Sequence, residues 1–411
     1  NLRDVQNIKY SPILKDIKKN LEHKGITGNE YSDIISIAYI LYLADDAGNR
    51  DLRDVIDGKI EDEALNYHLQ IILNKNREFI ESKTNNYQRG ELVSLIFFLE
   101  ETNLQKELIC TEKSIIDIVL SILNIEPGDD VADFGTGYGG FTTLGYSLNS
   151  DANYTGIDIN ALSNTIAKIK SNILGNNIRV IQKNVFGLDE SIKFDKIFFH
   201  IPFGMRVLGD EKERILRILP NEIENISVLD WAYAYTCMRH LGADGKAVVL
   251  MPAGTMLDSL NLKIREYFVV NGFIEAIIDL PSNVLNGTRI PVSLVILSKD
   301  NEKIRMIDAT EEFIKGKGRN IIGEKNIEQI LSSLEEGSPN SIDIKLDRFE
   351  DYRYILNAKR YLNVFSDAGN TLKLEDILIS ISRGYDIRRR ELEGLKSEEP
   401  TDIKYIELKK E

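Results

Sequence analysis

Four glycines fall within six residues in the stretch Asp133-Phe134-Gly135-Thr136-Gly137-Tyr138-Gly139-Gly140. Glycines directly after an apolar run let the backbone approach a bound molecule closely, and a helix opening behind them offers unpaired N–H groups. Read from Gly135 to Gly140, the stretch also satisfies the dinucleotide pattern GxGxxG. Asp133 shifts that balance. A carboxylate two residues before the first glycine can hold the amino group of a methionine moiety, and it would repel a pyrophosphate. Asp158 closes a second apolar run, Tyr154-Thr155-Gly156-Ile157-Asp158, where an acid accepts hydrogen bonds from ribose hydroxyls. A nicotinamide dinucleotide and S-adenosylmethionine both carry such a ribose, so Asp158 supports nucleoside binding without choosing between them. Asn184 follows a third run and is placed to meet an adenine edge, since an amide both donates and accepts.

The elements that must hold these residues alternate in type. Runs at 130–134, 154–158, 178–181, 196–199, 246–251, 274–279 and 292–297 read as seven strands. Helical stretches separate most of them, which predicts a mainly parallel, doubly wound α/β sheet whose last strands, following closely on one another, pair antiparallel. Thr111 is predicted to cap a helix carrying Ile115, Ile118, Val119 and Ile122 on its inner face. Residues 1–105 are mostly helical, with apolar positions at helical spacing in Ile34, Ile35, Ile37, Ala38, Leu41 and Leu43 and again in Leu92, Leu95, Ile96 and Leu99.

Composition sets the class. The chain of 411 residues is 43% hydrophobic and 28% charged, ordinary for a soluble globular protein. It has no apolar run long enough for a transmembrane helix, and its first residues lack the charged leader and apolar stretch of a signal peptide. Two cysteines, Cys110 and Cys237, exclude a disulfide framework or a cysteine-based zinc cluster and fit a reducing cytoplasm. The net charge of −14 is opposite to that of a free-standing phosphate binder. Any DNA contact must therefore come from a local basic face or from a partner.

The stretch Phe198-Phe199-His200-Ile201-Pro202-Phe203-Gly204 ends the fourth strand. It resembles the fourth-strand motif of amino-methylating DNA methyltransferases, Asn-Pro-Pro followed by an aromatic. The resemblance implies that the residue at His200 and the carbonyl of Ile201 accept hydrogen bonds from the target amino group. It also implies that Phe203, after Pro202, stacks on a flipped base. His200 and Ile201 stand where the family has Asn and Pro. A neutral histidine still accepts one hydrogen bond, whereas an imidazolium cannot. Loss of one transition-state contact worth roughly 3–4 kcal/mol lowers the rate by several orders of magnitude.

Downstream, the chain is similar to the modification (methyltransferase) subunits of type I restriction–modification systems. The runs that carry this are Leu229-Asp230-Trp231-Ala232, Leu250-Met251-Pro252-Ala253-Gly254, Ile278-Asp279-Leu280-Pro281-Ser282-Asn283, Gly287-Thr288-Arg289-Ile290-Pro291 and Met306-Ile307-Asp308-Ala309. Tyr354 to Tyr361 resembles that family's Asn-x-x-Arg-Tyr stretch. Thr111, with Ile109 and Cys110, resembles its Phe-x-Thr-Pro motif, which implies a cofactor contact at Thr111. The likeness spans roughly residues 105–365. It implies a Rossmann-like S-adenosylmethionine-dependent methyltransferase fold, with a seven-stranded mostly parallel sheet and an N-terminal helical domain. The corresponding division is 1–105, 106–365 and 366–411. The last segment resembles the opening of a target recognition domain, and its cluster Arg383, Arg388, Arg389 and Arg390 is suited to phosphates. There is no GxxxxGK[ST], hence no motor of the P-loop kind.

Two functions follow from the resemblance. One is an adenine-N6 DNA methyltransferase of a restriction–modification or related phage-defence system. It would use S-adenosylmethionine on double-stranded DNA, reached through a specificity subunit or recognition domain, with a restriction subunit as a further partner. The other is a catalytically degenerate relative that binds cofactor or DNA as a scaffold or regulatory subunit. A nicotinamide oxidoreductase rests on GxGxxG alone. Methylation of a protein side-chain amide shares only the fourth-strand motif.

Overall fold

The computed structural model describes residues 11–25, 30–48, 50–99, 111–175 and 177–365. By internal contacts the chain divides into two units, Asn1–Asn363 and Val364–Glu411. The arginine cluster at Arg383, Arg388, Arg389 and Arg390 lies outside the described residues.

Five helices come first: α1 (Ser11–His23), α2 (Glu30–Ala44), α3 (Leu52–Lys59), α4 (Glu63–Lys83) and α5 (Arg89–Phe98). Asp51 and Asp62 cap α3 and α4 by accepting from the backbone N–H of Arg53 and Leu65, each at 2.8 Å. Their apolar faces form one core in which α2 is central, and that core also takes in Tyr138, Ile166 and Ile169. Tyr31 stacks on Tyr138 with ring centroids 5.0 Å apart, so the helical layer rests against the glycine-rich turn.

After α6 (Lys113–Leu123) the chain alternates: β1 (Asp130–Phe134), α7 (Gly140–Leu148), β2 (Asn153–Asp158), α8 (Ala161–Leu174), β3 (Ile178–Gln182), β4 (Phe194–His200), α9 (Gly209–Leu216), α10 (Asp230–His240), β5 (Leu241–Pro252), α11 (Leu262–Val270), β6 (Ile274–Asp279) and β7 (Val292–Leu297). Then follow β8 (Lys303–Asp308), a small hairpin of β9 (Ile314–Lys315) and β10 (Asn320–Ile321), α12 (Glu324–Glu335), β11 (Ser341–Lys345) and α13 (Ala358–Phe365). One sheet of nine strands runs in the order β11-β8-β6-β7-β5-β4-β1-β2-β3. The pairs β1–β2, β2–β3, β1–β4, β4–β5 and β6–β8 are parallel, and β7 inserts antiparallel between β5 and β6. The seven strands read from the sequence are all present. The sheet extends beyond them by β8 and β11, which pair antiparallel at the far edge.

Alternation along the strands feeds two cores. Phe134, Ile197, Phe199, Ala247 and Val249 face α10 and α11, while Val131, Phe198, Val248 and Leu250 face α6. The middle strands are covered on both faces, which is why β7 is buried throughout.

Asp279, at the end of β6, ties the sheet to the chain that follows it. It is 3% exposed and accepts from the Ser293 hydroxyl at 2.7 Å and from Asn357 Nδ2 and the Ala358 backbone N–H at 2.9 Å each. Asp279→Ala leaves these donors buried without an acceptor and is expected to cost about 3 kcal/mol, read as a lower urea midpoint with an unchanged slope.

Candidate active site

Strand order reverses at β1, with β2 and β3 on one side and β4 and β5 on the other. Such a switch point leaves a crevice beyond the carboxyl ends of the strands. Gly135 follows β1 there and His200 ends β4, their strands paired through Phe134 and Phe199. A Cβ on Gly135 would lie 3.0 Å from Cε2 of Phe199 and 3.5 Å from the His200 carbonyl. Gly135, Gly137 and Gly139 take positive φ of 65°, 52° and 77°, the left-handed region that disfavours side chains. The turn is therefore a backbone surface pressed against the start of the fourth-strand motif.

The turn's donors are engaged within the protein. The N–H groups of Gly135 and Thr136 both reach the Ile157 carbonyl, at 2.7 and 3.1 Å, and Gly137 donates to Asp158 Oδ2 at 2.9 Å. Asp158 Oδ1 accepts from the Asn160 N–H at 2.8 Å, which leaves the half-buried carboxylate one further lone pair on each oxygen. Asp133 is buried. Its Oδ2 accepts from the hydroxyls of Thr136 and Thr142, at 2.8 and 2.9 Å. Burial pushes its carboxyl up to about 6 against the pull of those donors, and the Asp158 charge adds to the rise. Two acids thus flank the turn, a potential that suits a cationic ligand and opposes a diphosphate. Ile159, beside Asp158, is 66% exposed and offers an apolar surface. Asn184 is exposed, and its Oδ1 accepts from the Phe186 N–H at 3.0 Å, capping a short 3-10 turn.

Thr111 does not cap α6. Glu112 occupies that position without a side-chain cap, and the Thr111 hydroxyl instead lies 2.7 Å from His200 Nδ1. Protein surrounds the imidazole although part of the residue stays exposed, and that desolvation holds its pKa down to about 4. The ring is therefore neutral at physiological pH. Its centroid is 5.2 Å from that of Phe203, with the planes tilted by 43°. Ile201 is buried and Pro202 is exposed. Beyond them, Gly204 donates to Asp230 Oδ1 at 3.0 Å and Leu229 donates to the Met205 carbonyl at 2.9 Å, so the loop after β4 is held against the start of α10.

The structure thus brings together Gly135, Gly137, Asp133 and Asp158 on one side and Thr111, His200 and Phe203 on the other. Sequence reading missed Thr136 and Thr142 as the donors to Asp133, Asp230 as the clamp on Gly204, and Ile159. Asp230 lies within the Leu229-Asp230-Trp231-Ala232 run already singled out, which is the one signal that pointed to it.

The N-6 DNA methylase family model matches residues 99–368. The chain belongs to that family. It is 28% identical over 186 residues, 41% of its length, to the methylase subunit of the type I restriction enzyme MpnII of Mycoplasma pneumoniae. That match covers 33% of the relative, and a similar match to the MjaVIII methylase subunit of Methanocaldococcus jannaschii covers 26% of that protein, so the chain spans a third or less of these curated relatives. In fold it is similar to the type I restriction–modification methyltransferase subunit from Streptococcus thermophilus, with a TM-score of 0.65 at 16% identity, covering 86% of this chain and 100% of that one. It is also similar to a Listeria monocytogenes protein described as a class I S-adenosylmethionine-dependent methyltransferase, with a TM-score of 0.51 at 13% identity, covering 80% and 98%. The fold is that of the class I S-adenosylmethionine-dependent methyltransferases. No described helix is long and apolar enough to cross a membrane.

The two titrating groups give opposite pH dependences. Unfolded His200 takes up its proton near the ordinary histidine value and the folded ring only near 4, so its contribution to stability is lost as pH falls between them. Asp133, raised when folded, contributes stability at low pH that is lost as pH rises through about 6. Relative to wild type, His200→Asn is expected to lose less stability on acidification from about pH 6.5 to about pH 4, and Asp133→Asn to gain on moving above about 6. Melting temperatures across that range check both signs.

Proposed function

We propose that this chain is the catalytic part of an adenine-N6 DNA methyltransferase subunit that uses S-adenosylmethionine. The observation that carries the reading is the junction of β1 and β4, where the acid-flanked glycine turn packs against Phe199 and the His200 carbonyl, so closely that a Cβ at Gly135 would lie 3.0 Å from the Phe199 ring. When bound, the cofactor supplies a methyl group on a sulfonium. Asp158 would accept the ribose hydroxyls, Ile159 would carry the adenine ring, and Asp133, through the Thr136 and Thr142 hydroxyls, would set the turn and its negative potential. Asn184 would meet the adenine edge with its amide N–H groups. The fit to a dinucleotide is poor, because the N–H groups of Gly135, Thr136 and Gly137 already serve Ile157 and Asp158.

His200 and Phe203 would receive the flipped adenine. With Nδ1–H donating to the Thr111 hydroxyl, Nε2 carries the ring's lone pair and accepts one hydrogen of the exocyclic amine, and the Ile201 carbonyl accepts the other. The nitrogen lone pair then turns out of conjugation with the purine. Phe203, fixed through Gly204 and Asp230, stacks on the base. Thr111 acts through His200 by holding its ring in place. The division into a helical layer (1–105), a methyltransferase core (106–365) and the beginning of a recognition domain (366–411) belongs to this reading. So do a specificity subunit and a restriction subunit as partners and a cytoplasmic location. A scaffold without turnover draws on the same His200-Ile201 departure, and the neutral ring favours transfer over it.

Calorimetry with S-adenosylmethionine tests the cofactor half. Micromolar binding by the wild type that is lost in Asp158→Ala is expected. A folded wild type that takes up no cofactor would overturn the reading.

A further inference from the structure

The acidic chain needs a local basic surface if it is to touch DNA, and the described residues hold one next to the His200 site. A cleft of about 440 Å³ lies between the loop carrying Asn283, Asn286, Thr288 and Arg289 and the turn carrying Lys317 and Arg319, a size within the range of ligand sites (~300–1,000 Å³). The two walls are fastened together. Asn320 donates to the Asn283 carbonyl at 3.0 Å and, through Nδ2, to the Ser282 carbonyl at 2.8 Å, while Asn283 Nδ2 reaches the Gly318 carbonyl at 3.2 Å. The cleft is thus a built feature of the β9–β10 hairpin docked on the loop before β7.

Its charge is one-sided. Among the described residues no carboxylate lines it. Arg319 pairs with Glu112, whereas Arg289 and Lys317 are exposed and make no ion pair among the described residues. A guanidinium fork, an ammonium and the Asn286 and Thr288 side chains together are a donor set for phosphate oxygens. Its position is equally specific. The loop before β7 leaves the sheet at the edge where β4 ends, since Val292 is paired with Pro252 and Leu250 with His200. Arg319 grips Glu112, whose neighbour Thr111 holds His200. The carboxylate that holds Arg319 at the cleft is therefore one peptide unit, ~3.8 Å between Cα atoms, from the residue whose hydroxyl meets His200.

We infer that this cleft binds the phosphodiester backbone beside the flipped nucleotide, through Arg289 and Lys317, and so holds the strand while its base occupies the His200–Phe203 site. The inference rests on the proposed methyltransferase reading. Backbone contacts of this kind fix register without reading sequence, which leaves site choice to another domain or subunit.

The test uses the full chain with S-adenosylmethionine and a duplex carrying one unpaired adenine, with binding followed by fluorescence anisotropy as salt is raised. Arg289→Gln with Lys317→Gln is expected to weaken binding at least tenfold near ~0.1 M salt and to reduce the slope of log affinity against log salt by about one for each cation removed. Cofactor affinity should be unchanged, and Arg289→Lys with wild-type Lys317 should keep the wild-type slope. Wild type and double variant with equal affinity and slope would overturn the inference, and so would a wild type that binds cofactor but no duplex at any salt. Absence of cofactor binding in the wild type would instead strike the reading on which the inference stands.

Discussion

At the carboxyl ends of β1 and β4, the Phe199 ring stands 3.0 Å from the point where a Gly135 side chain would begin. Everything in the site depends on that approach. It exists because the sheet reverses its order there and because Phe134 and Phe199 are register partners. The rings of those two residues pack edge to face, 5.8 Å apart, on one side of the sheet. A side chain at Gly135 would press on the Phe199 ring, part of the main core, and would be strained by the positive φ. The turn that would cradle a cofactor and the histidine that would receive a base are thereby held at a separation set by strand packing.

Electrostatics divides this junction into two unlike halves. The turn side carries two acids, one buried and held by hydroxyls, the other bonded to the turn's own backbone. The β4 side carries an imidazole that desolvation keeps neutral. A cationic methyl donor suits the first half, and a neutral exocyclic amine suits the second. An imidazolium would have placed a third charge at the point where positive charge develops on the amine nitrogen. A neutral ring at His200 is compatible with transfer, and the Thr111 hydroxyl, which can donate to Nδ1 or accept from it, holds that ring in place.

The core of this fold was legible wherever a strand is covered on both faces, because burial forces a nearly continuous apolar run, as in Val292 to Leu297, where Ser293 alone is polar. It was not legible at the far edge. Lys303–Asp308 and Ser341–Lys345 alternate charged and apolar residues, and they are recognisable as partners only once Lys303 and Arg305 meet Asp343 across the pair. The site shows the same contrast. Glycines, Asp133 and Asp158 announce themselves by spacing after strands. Thr111 was read as a helix cap because local pattern favours that, whereas its actual partner is 89 residues away. Likewise the cleft inferred to hold phosphates draws Arg289, Lys317 and Arg319 from two separate turns, while the densest arginine run in the sequence lies outside the described residues.

In the proposed function, a neutral His200 stands in for the family's asparagine. The most direct measurement is methyl transfer from labelled S-adenosylmethionine to DNA under single-turnover conditions, with the product nucleosides identified by mass spectrometry. It would compare wild type with His200→Asn combined with Ile201→Pro. N6-methyladenine is expected from the wild type, with faster formation of the same product by the double variant. Transfer to another acceptor, or no transfer by the wild type while it binds cofactor and DNA, would rule that role out.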